Sequence, residues 1–211
     1  MKLTLHTFLT VDGVMQGPGG PDEDRTGGFD RGGWLVPYAD GDMNEIVTGW
    51  FQNTGALLLG RTTYDLFRGF WPQVTDPADP VAAALNARPK YVASSTVRDP
   101  DWGPVTVLQG DTLAAVRRLK EQDGDELQVH GSCLLARTLH EAGLIDEYRL
   151  LTFPVAVGGG KRLFADGGPA NGFELLDSRV TSTGATYSVL APTSFRRGDI
   201  EVEDGREKTV L

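Results

Sequence analysis

The chain has 211 residues, and its 20 Lys and Arg against 29 Asp and Glu give a formal net charge of −9. This balance argues against general nucleic-acid binding, which needs a basic surface, and against attraction to an anionic membrane. One cysteine and three histidines exclude a disulfide framework and a cysteine-rich metal site. Since no apolar run spans a bilayer and no signal sequence is visible, we expect a cytoplasmic protein that binds no metal.

Glycine is over-represented, with 27 residues, against an average share of about 7%. The glycines cluster within 13–41 and 158–160, and Gly60 and Gly131 each follow an apolar run. Glycine at the end of a strand lets the backbone approach a ligand closely. A long loop such as 13–41 is either functional or disordered in a compact domain. The clustering therefore predicts a ligand-binding protein.

The first third of the chain alternates between the apolar spacing of strands and that of helices. This pattern predicts a strand over 3–11, a loop over 13–41, a helix over 42–54, a buried strand over 56–59 and a helix starting over 62–67. Asp42 with Glu45, and Thr62 with Asp65, have the spacing of capping boxes, which satisfy free N–H groups of a first helical turn.

The middle of the chain repeats the alternation. It predicts strands over 90–95, 105–108 and 126–130, with helices after the second and third of them. Asp111 and Ser132 are expected to cap these helices. Gly143 then ends the second helix, and Leu144 makes the apolar contact of a Schellman motif.

Helices stop after Gly143. Strands are predicted over 147–157 and as a pair within 173–190 joined around Gly184, while 193–211 is polar and is either an edge strand or a loose tail. Strands that alternate with helices and are followed by strands alone indicate one α/β domain. Its sheet is expected to be mostly parallel, with an antiparallel C-terminal edge.

The common nucleotide and hydrolase motifs are absent. Gly158–Lys161 resembles a phosphate loop, but Arg162 stands where Ser or Thr is required. No G-x-G-x-x-G follows the first strand, and no G-x-S-x-G elbow exists. Cys133, just inside a predicted helix, is interpreted as a small packing residue rather than a nucleophile.

Two strand-to-helix junctions, Leu59–Tyr64 and Val129–Leu134, place glycine and polar residues at a helix start, where free N–H groups can hold an anion. A third strand ends in the hydroxyls of 94–96. Each feature alone is usually a cap, but three at successive strand ends indicate one extended polyanion, and a dinucleotide fits that span. Arg61 and Arg98 are placed to meet an extra phosphate, which favours NADP over NAD.

With these features the chain resembles the dihydrofolate reductase-like superfamily. Within it, the chain is most similar to the RibD C-terminal reductase domain of the bacterial riboflavin-biosynthesis deaminase-reductase. The motifs that carry the resemblance over residues 1–192 are Thr10–Gly13, Leu58–Asp65 with Trp71-Pro72, Ser94–Thr96, His130–Ser132, Gly143–Leu150 with Pro154, and Gly159–Phe164. The resemblance implies a three-layer α/β/α fold with a mixed, mostly parallel sheet. It makes 1–192 one domain and 193–211 an extension or edge strand.

The resemblance also implies an NADPH cleft, with residues assigned position by position. The cofactor-binding positions are Gly60, Arg61, Thr62, Thr63, Ser94, Ser95, Thr96, Gly131, Ser132, Cys133 and Leu134. The positions at the reaction face and substrate are Val11, Asp12, Gly13, Trp34, Asp42 and Glu45. Asp12 is the expected catalytic residue, with a water near it as the expected proton source, or else it caps a turn. Asp42 and Glu45 have the capping interpretation beside the substrate one.

The sequence departs from the riboflavin enzyme in two ways. Between Gly32 and Gly60 there is no Lys or Arg to hold a ribose phosphate. The zinc deaminase signature is missing as well. We therefore expect an NADPH-dependent oxidoreductase that transfers hydride to a small pterin-, flavin- or pyrimidine-like ring, in a homodimer that binds neither nucleic acid nor membrane. The alternatives are 5-amino-6-(5-phosphoribosylamino)uracil reductase and a nucleotide-binding module without turnover.

Overall fold

The computed structural model describes residues 1–210, which form ten strands and five α-helices; helices and strands are interspersed up to the fifth helix, and the last five strands follow it. The strands are β1 (Leu3–Thr10), β2 (Thr54–Gly60), β3 (Lys90–Ala93), β4 (Val105–Leu108), β5 (Glu126–His130), β6 (Glu147–Phe153), β7 (Asn171–Val180), β8 (Thr186–Ser194), β9 (Asp199–Glu203) and β10 (Arg206–Val210). The helices are α1 (Gly41–Trp50), α2 (Arg61–Phe70), α3 (Pro80–Ala87), α4 (Thr112–Lys120) and α5 (Cys133–Glu141).

Eight strands form one mixed sheet in the order β4-β3-β2-β5-β1-β6-β8-β7. The strands from β4 to β6 are parallel, and β8 and β7 add an antiparallel edge. The central β1 pairs with β5 on one side and β6 on the other, so that Leu5 lies opposite Val129 and Tyr148. This arrangement confirms the predicted fold class.

Helices cover both faces of the sheet, and the buried strand β2 is apolar on both of its sides. Leu57 and Leu59 of β2 belong to a core cluster that includes residues of α1 and α3, whereas Leu58 belongs to a second cluster with Val116 of α4 and Leu139 of α5. The period of two along β2 thus divides the core between two layers of helices. The structure is the expected α/β/α sandwich.

Several predicted boundaries need correction. The strand predicted over 147–157 ends at Phe153, because Pro154 follows and cannot donate to the ladder. The helix predicted over 42–54 ends at Trp50 and continues only as a 3-10 turn. Helix α3 was not predicted at all, although Asp79 caps it and Pro80 occupies its first turn.

Both predicted capping boxes are wrong. Asp40, not Asp42, caps α1 and accepts a hydrogen bond from the Met43 N–H at 2.7 Å. At α2 the cap position is Gly60, one residue before the helix, and no side chain caps it. In both cases a short polar residue near the helix start satisfied the local pattern without standing at the cap.

Two of the other predicted helix signals are confirmed, whereas the predicted side-chain cap by Ser132 at α5 is wrong. Asp111 accepts a hydrogen bond from the Ala114 N–H at 3.0 Å. At the end of α5, Gly143 has a φ of 62° and the Leu144 N–H donates to the Leu139 carbonyl at 3.0 Å. This is the Schellman arrangement, and only glycine adopts its left-handed conformation without cost.

The long N-terminal loop is anchored to the segment after β6. Val14 forms an isolated bridge with Arg162, and the Lys161 ammonium lies 2.6 Å from the Asp24 carboxylate. Gly160 permits this close approach, since a Cβ there would lie 2.8 Å from the Val14 side chain. The loop therefore has a defined position over the carboxyl ends of the central strands.

The C-terminal residues contain the last strands of the chain. Strand β8 continues to Ser194, and β9 and β10 form a separate antiparallel hairpin in which Ile200 pairs with Thr209. Within residues 1–210, no helix is long and apolar enough to cross a membrane.

Candidate functional site

A cleft of about 1080 Å³ opens at the carboxyl ends of the parallel strands. Its lining includes the end of β2 at Gly60, the end of β5 at His130 and the middle of β1 at Thr7. Helices α1, α2 and α5 form its walls, and residues 15–24 of the long loop lie across it. Ligands of open α/β sheets bind at this edge, which makes the cleft the candidate site.

Two helices whose first turns line the cleft, α2 and α5, differ from the others at their N-termini. Helices α1, α3 and α4 are each capped by the side chain of an aspartate, namely Asp40, Asp79 and Asp111. Helices α2 and α5 have no side-chain cap. Their first N–H groups and the positive ends of their dipoles remain available to an anion in the cleft.

Ser132 connects these two helix starts. It takes the predicted cap position of α5, but it is left-handed, with a φ of 58°, and its hydroxyl does not bond to α5. The hydroxyl accepts from the Gly60 N–H at 2.8 Å and donates to the Thr63 hydroxyl at 2.8 Å. A Cβ at position 60 would lie 3.2 Å from that oxygen, so glycine is needed for the close approach. A strained serine that holds two open helix ends together is typical of a functional site.

Most of the predicted cofactor positions meet in the cleft. Its lining contains Gly60, Arg61, Thr62, Thr63, Gly131, Ser132, Cys133 and Leu134. The predicted hydroxyl positions 94–96 at the end of β3 lie just outside the cleft, since Ala93 is the last residue of that strand in the lining. The Ser94 hydroxyl accepts from the N–H groups of Thr96 and Val97 at 3.1 Å. Ser95 and Thr96 are exposed beside it.

Cys133 has the environment of a packing residue. Its Sγ lies 3.2 Å from the Arg162 carbonyl oxygen, and burial raises the pKa of the thiol. A thiol whose pKa is raised is a poor nucleophile at neutral pH, as the sequence interpretation expected.

Asp12 lies outside the cleft lining, in the turn after β1. Its carboxylate accepts from the Thr10 hydroxyl at 2.5 Å and from the Gly158 N–H at 2.8 Å, and the Thr10 bond holds its pKa below the ordinary value. Val11 is exposed and Gly13 has a φ of 77°, as a tight turn requires. The carboxylate therefore joins this turn to the segment after β6.

The other predicted substrate residues also lie away from the cleft. Trp34 is buried and its indole N–H donates to the Gln16 carbonyl at 2.8 Å. The Asp42 carboxylate accepts from the Ser182 N–H at 2.7 Å, at the turn between β7 and β8. Glu45 is exposed and lies 3.7 Å from Arg179. Asp42 and Glu45 thus attach α1 to the antiparallel edge of the sheet.

Sequence reasoning missed the residues of α1 that do face the cleft. Met43, Asn44 and Val47 line it, and Trp50 and Phe51 follow at its floor. The apolar members of this set are the periodic residues from which the helix itself was predicted, so no separate signal marked them as binding residues. Asn44 is the polar group that α1 contributes.

The floor of the cleft contains two histidines that the sequence interpretation did not assign to the site, although His130 belongs to one of the resemblance motifs. His6 and His130 lie on neighbouring strands with ring centroids 4.8 Å apart, and His130 also stacks on Phe51 at 4.7 Å. Burial, followed by the charge of Arg149, lowers the pKa of His130 to about 3. Burial likewise lowers the pKa of His6 well below its ordinary value. Both rings are therefore neutral at physiological pH.

The loop over the cleft contributes one carboxyl group with the opposite shift. Burial raises the pKa of Glu23, although its carboxylate accepts from the N–H groups of Gly19 and Gly20. Asp24, beside it, forms the ion pair with Lys161 and has a lowered pKa. A carboxyl with a raised pKa in a cleft is a candidate proton donor.

The model of the RibD C-terminal domain family matches residues 1–187. The chain belongs to this family. The uncharacterized protein YyaP of Bacillus subtilis is 27% identical over 190 residues, which cover 89% of this chain and 93% of that protein. The family supports a reductase-type fold for the chain.

Solved structures agree with the family at the level of the fold. A candidate riboflavin biosynthesis protein from Shewanella sp. PV-4 is 21% identical and has a TM-score of 0.66, covering 92% of this chain and 99% of that one. Dihydrofolate reductase from Enterococcus faecalis, in a complex with NADP(H) and RAB-propyl, is 13% identical and has a TM-score of 0.56, covering 90% and 96%. The dihydrofolate reductase-like fold predicted from the sequence is thus confirmed.

Proposed function

We propose that the protein is an NADPH-dependent reductase that transfers hydride to a small, neutral, planar heterocycle. The observation that carries the proposal is the pair of uncapped helix N-termini that open into one cleft and are joined through Ser132. Two anion sites held at a fixed separation suit the phosphates of a dinucleotide. The family and its dihydrofolate reductase-like fold support the same reaction class.

The residues in the cleft fit such a cofactor. In this assignment Gly131 and Ser132 receive the pyrophosphate at the start of α5, and Gly60 with Thr62 and Thr63 receives phosphate at the start of α2. Gly131 has a φ of 61°, and the nearest atom to a Cβ built there is the Thr63 hydroxyl at 3.9 Å. A side chain at position 131 would therefore project into the space between the two helix starts.

Arg61 is assigned to the additional phosphate that distinguishes NADPH from NADH. Its guanidinium lines the cleft and lies 3.2 Å from the Asp65 carboxylate, with half of the side chain exposed. This surface ion pair is weak and can be exchanged for a charge-assisted bond to phosphate. A bond of that kind contributes roughly 1.5–3 kcal/mol, which is about tenfold or more in affinity.

Arg61→Ala is therefore expected to weaken NADPH binding about tenfold or more and to leave NADH binding nearly unchanged. Titration calorimetry with both cofactors measures the effect. Arg68→Ala is the matched control, because Arg68 lies on the same helix and pairs with Asp101 at 2.7 Å outside the cleft lining. An equal loss of affinity for both cofactors would contradict the assignment.

The reaction itself divides between cofactor and protein. Bound NADPH supplies the hydride, and the protein positions the two rings and excludes water. The α1 wall and the aromatic floor hold the substrate ring. Of the carboxyl groups that line the cleft, Glu23 has the raised pKa, and we assign to it the proton that the product requires.

Glu23→Gln is expected to lower turnover at neutral pH by about 100-fold, the usual contribution of a general acid, without changing NADPH affinity. Because the acid must be protonated, wild-type turnover falls as the pH rises through the pKa of Glu23, and the variant loses that limb. Asp22→Asn, which alters the neighbouring carboxylate paired with Arg25, is the control. A variant with the wild-type pH profile would remove Glu23 from the mechanism.

The reductase proposal as a whole is tested by NADPH titration followed by absorbance at the nicotinamide band with a panel of pterin-, flavin- and pyrimidine-like rings. We expect NADPH to bind and at least one ring to oxidise it. Binding without oxidation across the panel would favour the nucleotide-binding module instead.

A further inference from the structure

We propose that His130, with His6 beside it, is the polar recognition group of the substrate pocket and accepts a hydrogen bond from a ring N–H of the bound heterocycle. The inference rests on the proposed function and deepens it by naming the substrate class: a flat, neutral ring that carries an N–H donor. Both imidazoles line the cleft floor.

The hydrogen bonds behind His130 determine which of its nitrogens carries the proton. The Gln128 side-chain amide donates from Nε2 to the Trp50 carbonyl at 2.7 Å and to the Glu126 carboxylate at 2.7 Å. Both partners are acceptors, so the orientation of the amide is fixed and its oxygen faces His130. His130 must then donate from Nε2 to that oxygen, at 3.0 Å. In the neutral ring, Nδ1 keeps a free lone pair.

This orientation is anchored by a buried ion pair. The Glu126 carboxylate receives two bonds from the Arg149 guanidinium, at 3.0 and 2.5 Å, and Arg149 also donates to Glu147 at 2.7 Å. The three side chains are each at most 14% exposed. A bidentate pair with little exposure has one geometry, so Glu126 and Gln128 are positioning residues for the imidazole.

Two nitrogens on the cleft floor are left without protein partners. No hydrogen bond within residues 1–210 uses Nδ1 of His130, and Nδ1 of His6 is a buried atom with no partner in the same part of the chain. His6 is 1% exposed and its Nε2 is already engaged with the Thr4 hydroxyl at 2.9 Å. A buried polar atom without a partner is costly, and a ligand donor would remove that cost.

The surroundings define the rest of the ligand. Phe51 lies nearly parallel to His130, at 6°, and Trp50 presents its edge to His6 with centroids 5.2 Å apart. Phe8 also lines this end of the cleft. These aromatic groups favour a flat ring, and the two neutral imidazoles offer no charge to an ionised one.

The test compares lumazine, which carries N–H groups at ring positions 1 and 3, with 1,3-dimethyllumazine, in which both of these nitrogens are methylated. We expect lumazine to bind wild-type protein at least tenfold more tightly, and the preference to disappear in His130→Phe, which keeps an aromatic ring on Phe51. His140→Phe is the matched control, because His140 lies outside the cleft lining and bonds to Tyr148. Lumazine that fails to bind, or a preference that survives in His130→Phe, would overturn the proposal.

Nitrogen NMR of the histidines gives a second measurement that needs no variant. The chain has three histidines, so their ring signals are resolvable. Lumazine should shift the Nδ1 resonance of His130, whereas 1,3-dimethyllumazine should not; an unshifted resonance in the lumazine complex overturns the proposal. Both measurements are made with and without NADPH. Failure of NADPH to bind would therefore contradict the reductase function, while the ring-binding result stands or falls separately.

Discussion

Gly131→Val is expected to abolish NADPH binding, while Gly143→Val is expected to leave it unchanged. The two glycines have nearly the same conformation, with φ values of 61° and 62°. Valine is strained at either position, so both variants lose stability for the same reason. They differ in location, since residue 131 lies between the starts of α2 and α5 and residue 143 faces open space after α5.

The measurement is NADPH titration of both variants beside thermal melting. If the pyrophosphate lies at the start of α5, the valine at position 131 occupies the space that it needs. The melting temperatures separate this effect from backbone strain, because they should fall similarly in the two variants. A Gly131→Val protein that melts like the Gly143→Val protein and still binds NADPH normally would refute the pyrophosphate assignment.

The sequence was most informative where function depends on backbone conformation. Gly60 and Gly131 marked the two strand-to-helix junctions, and both junctions line the cleft. Such signals are local: an apolar strand, a glycine and a helix start follow one another within a few residues. The uncapped ends of α2 and α5 became visible only in the structure, because polar residues at both starts resembled caps.

The carboxylates were the least predictable part of the site. Asp12 and Asp42 each stand near a loop or helix that suggested a role in binding, but their partners Gly158 and Ser182 lie more than a hundred residues away in sequence. Long-range partners of this kind leave no local pattern. A carboxylate near a predicted cleft therefore carries little information about function until its hydrogen bonds are known.

The histidines also depend on contacts between distant parts of the sequence, but unlike these carboxylates they line the cleft. His6 and His130 are far apart in sequence and meet only because β1 and β5 pair in parallel, with the two residues directly opposite each other. The sequence predicted both strands, but it did not predict that they are adjacent in the sheet or in which register they pair. A one-residue shift of either strand would turn one imidazole to the other face of the sheet. The pair of imidazoles therefore exists only because of the order and register of β1 and β5 in the sheet.

The substrate side of the cleft is expected to prefer the dephosphorylated form of 5-amino-6-(5-phosphoribosylamino)uracil over the phosphorylated compound at least tenfold in a competition experiment. Of the described residues, the basic side chains in the lining are Arg61, which belongs to the cofactor side, and Lys161, which lies 2.6 Å from Asp24. The other cations of the 13–41 loop and of the segment between β6 and β7 are also engaged. Arg25 pairs with Asp22, Arg31 donates to the Val157 carbonyl, and Arg162 donates to the Asp12 carbonyl.

A doubly charged phosphate in this region would meet the like charge of Asp22 without a free cation to compensate, and a partly desolvated site makes that costly. Competition is measured by turnover, or by NADPH-dependent binding, of the two compounds. Asn44→Lys supplies the missing cation on the α1 wall and is expected to shift the preference toward the phosphorylated compound, while Asn44→Gln, which adds length without charge, is not. If the wild-type protein clearly prefers the phosphorylated compound, a cation must reach the phosphate from a position other than those described above. The assignment of a neutral ring would then be replaced by that of the riboflavin-pathway substrate.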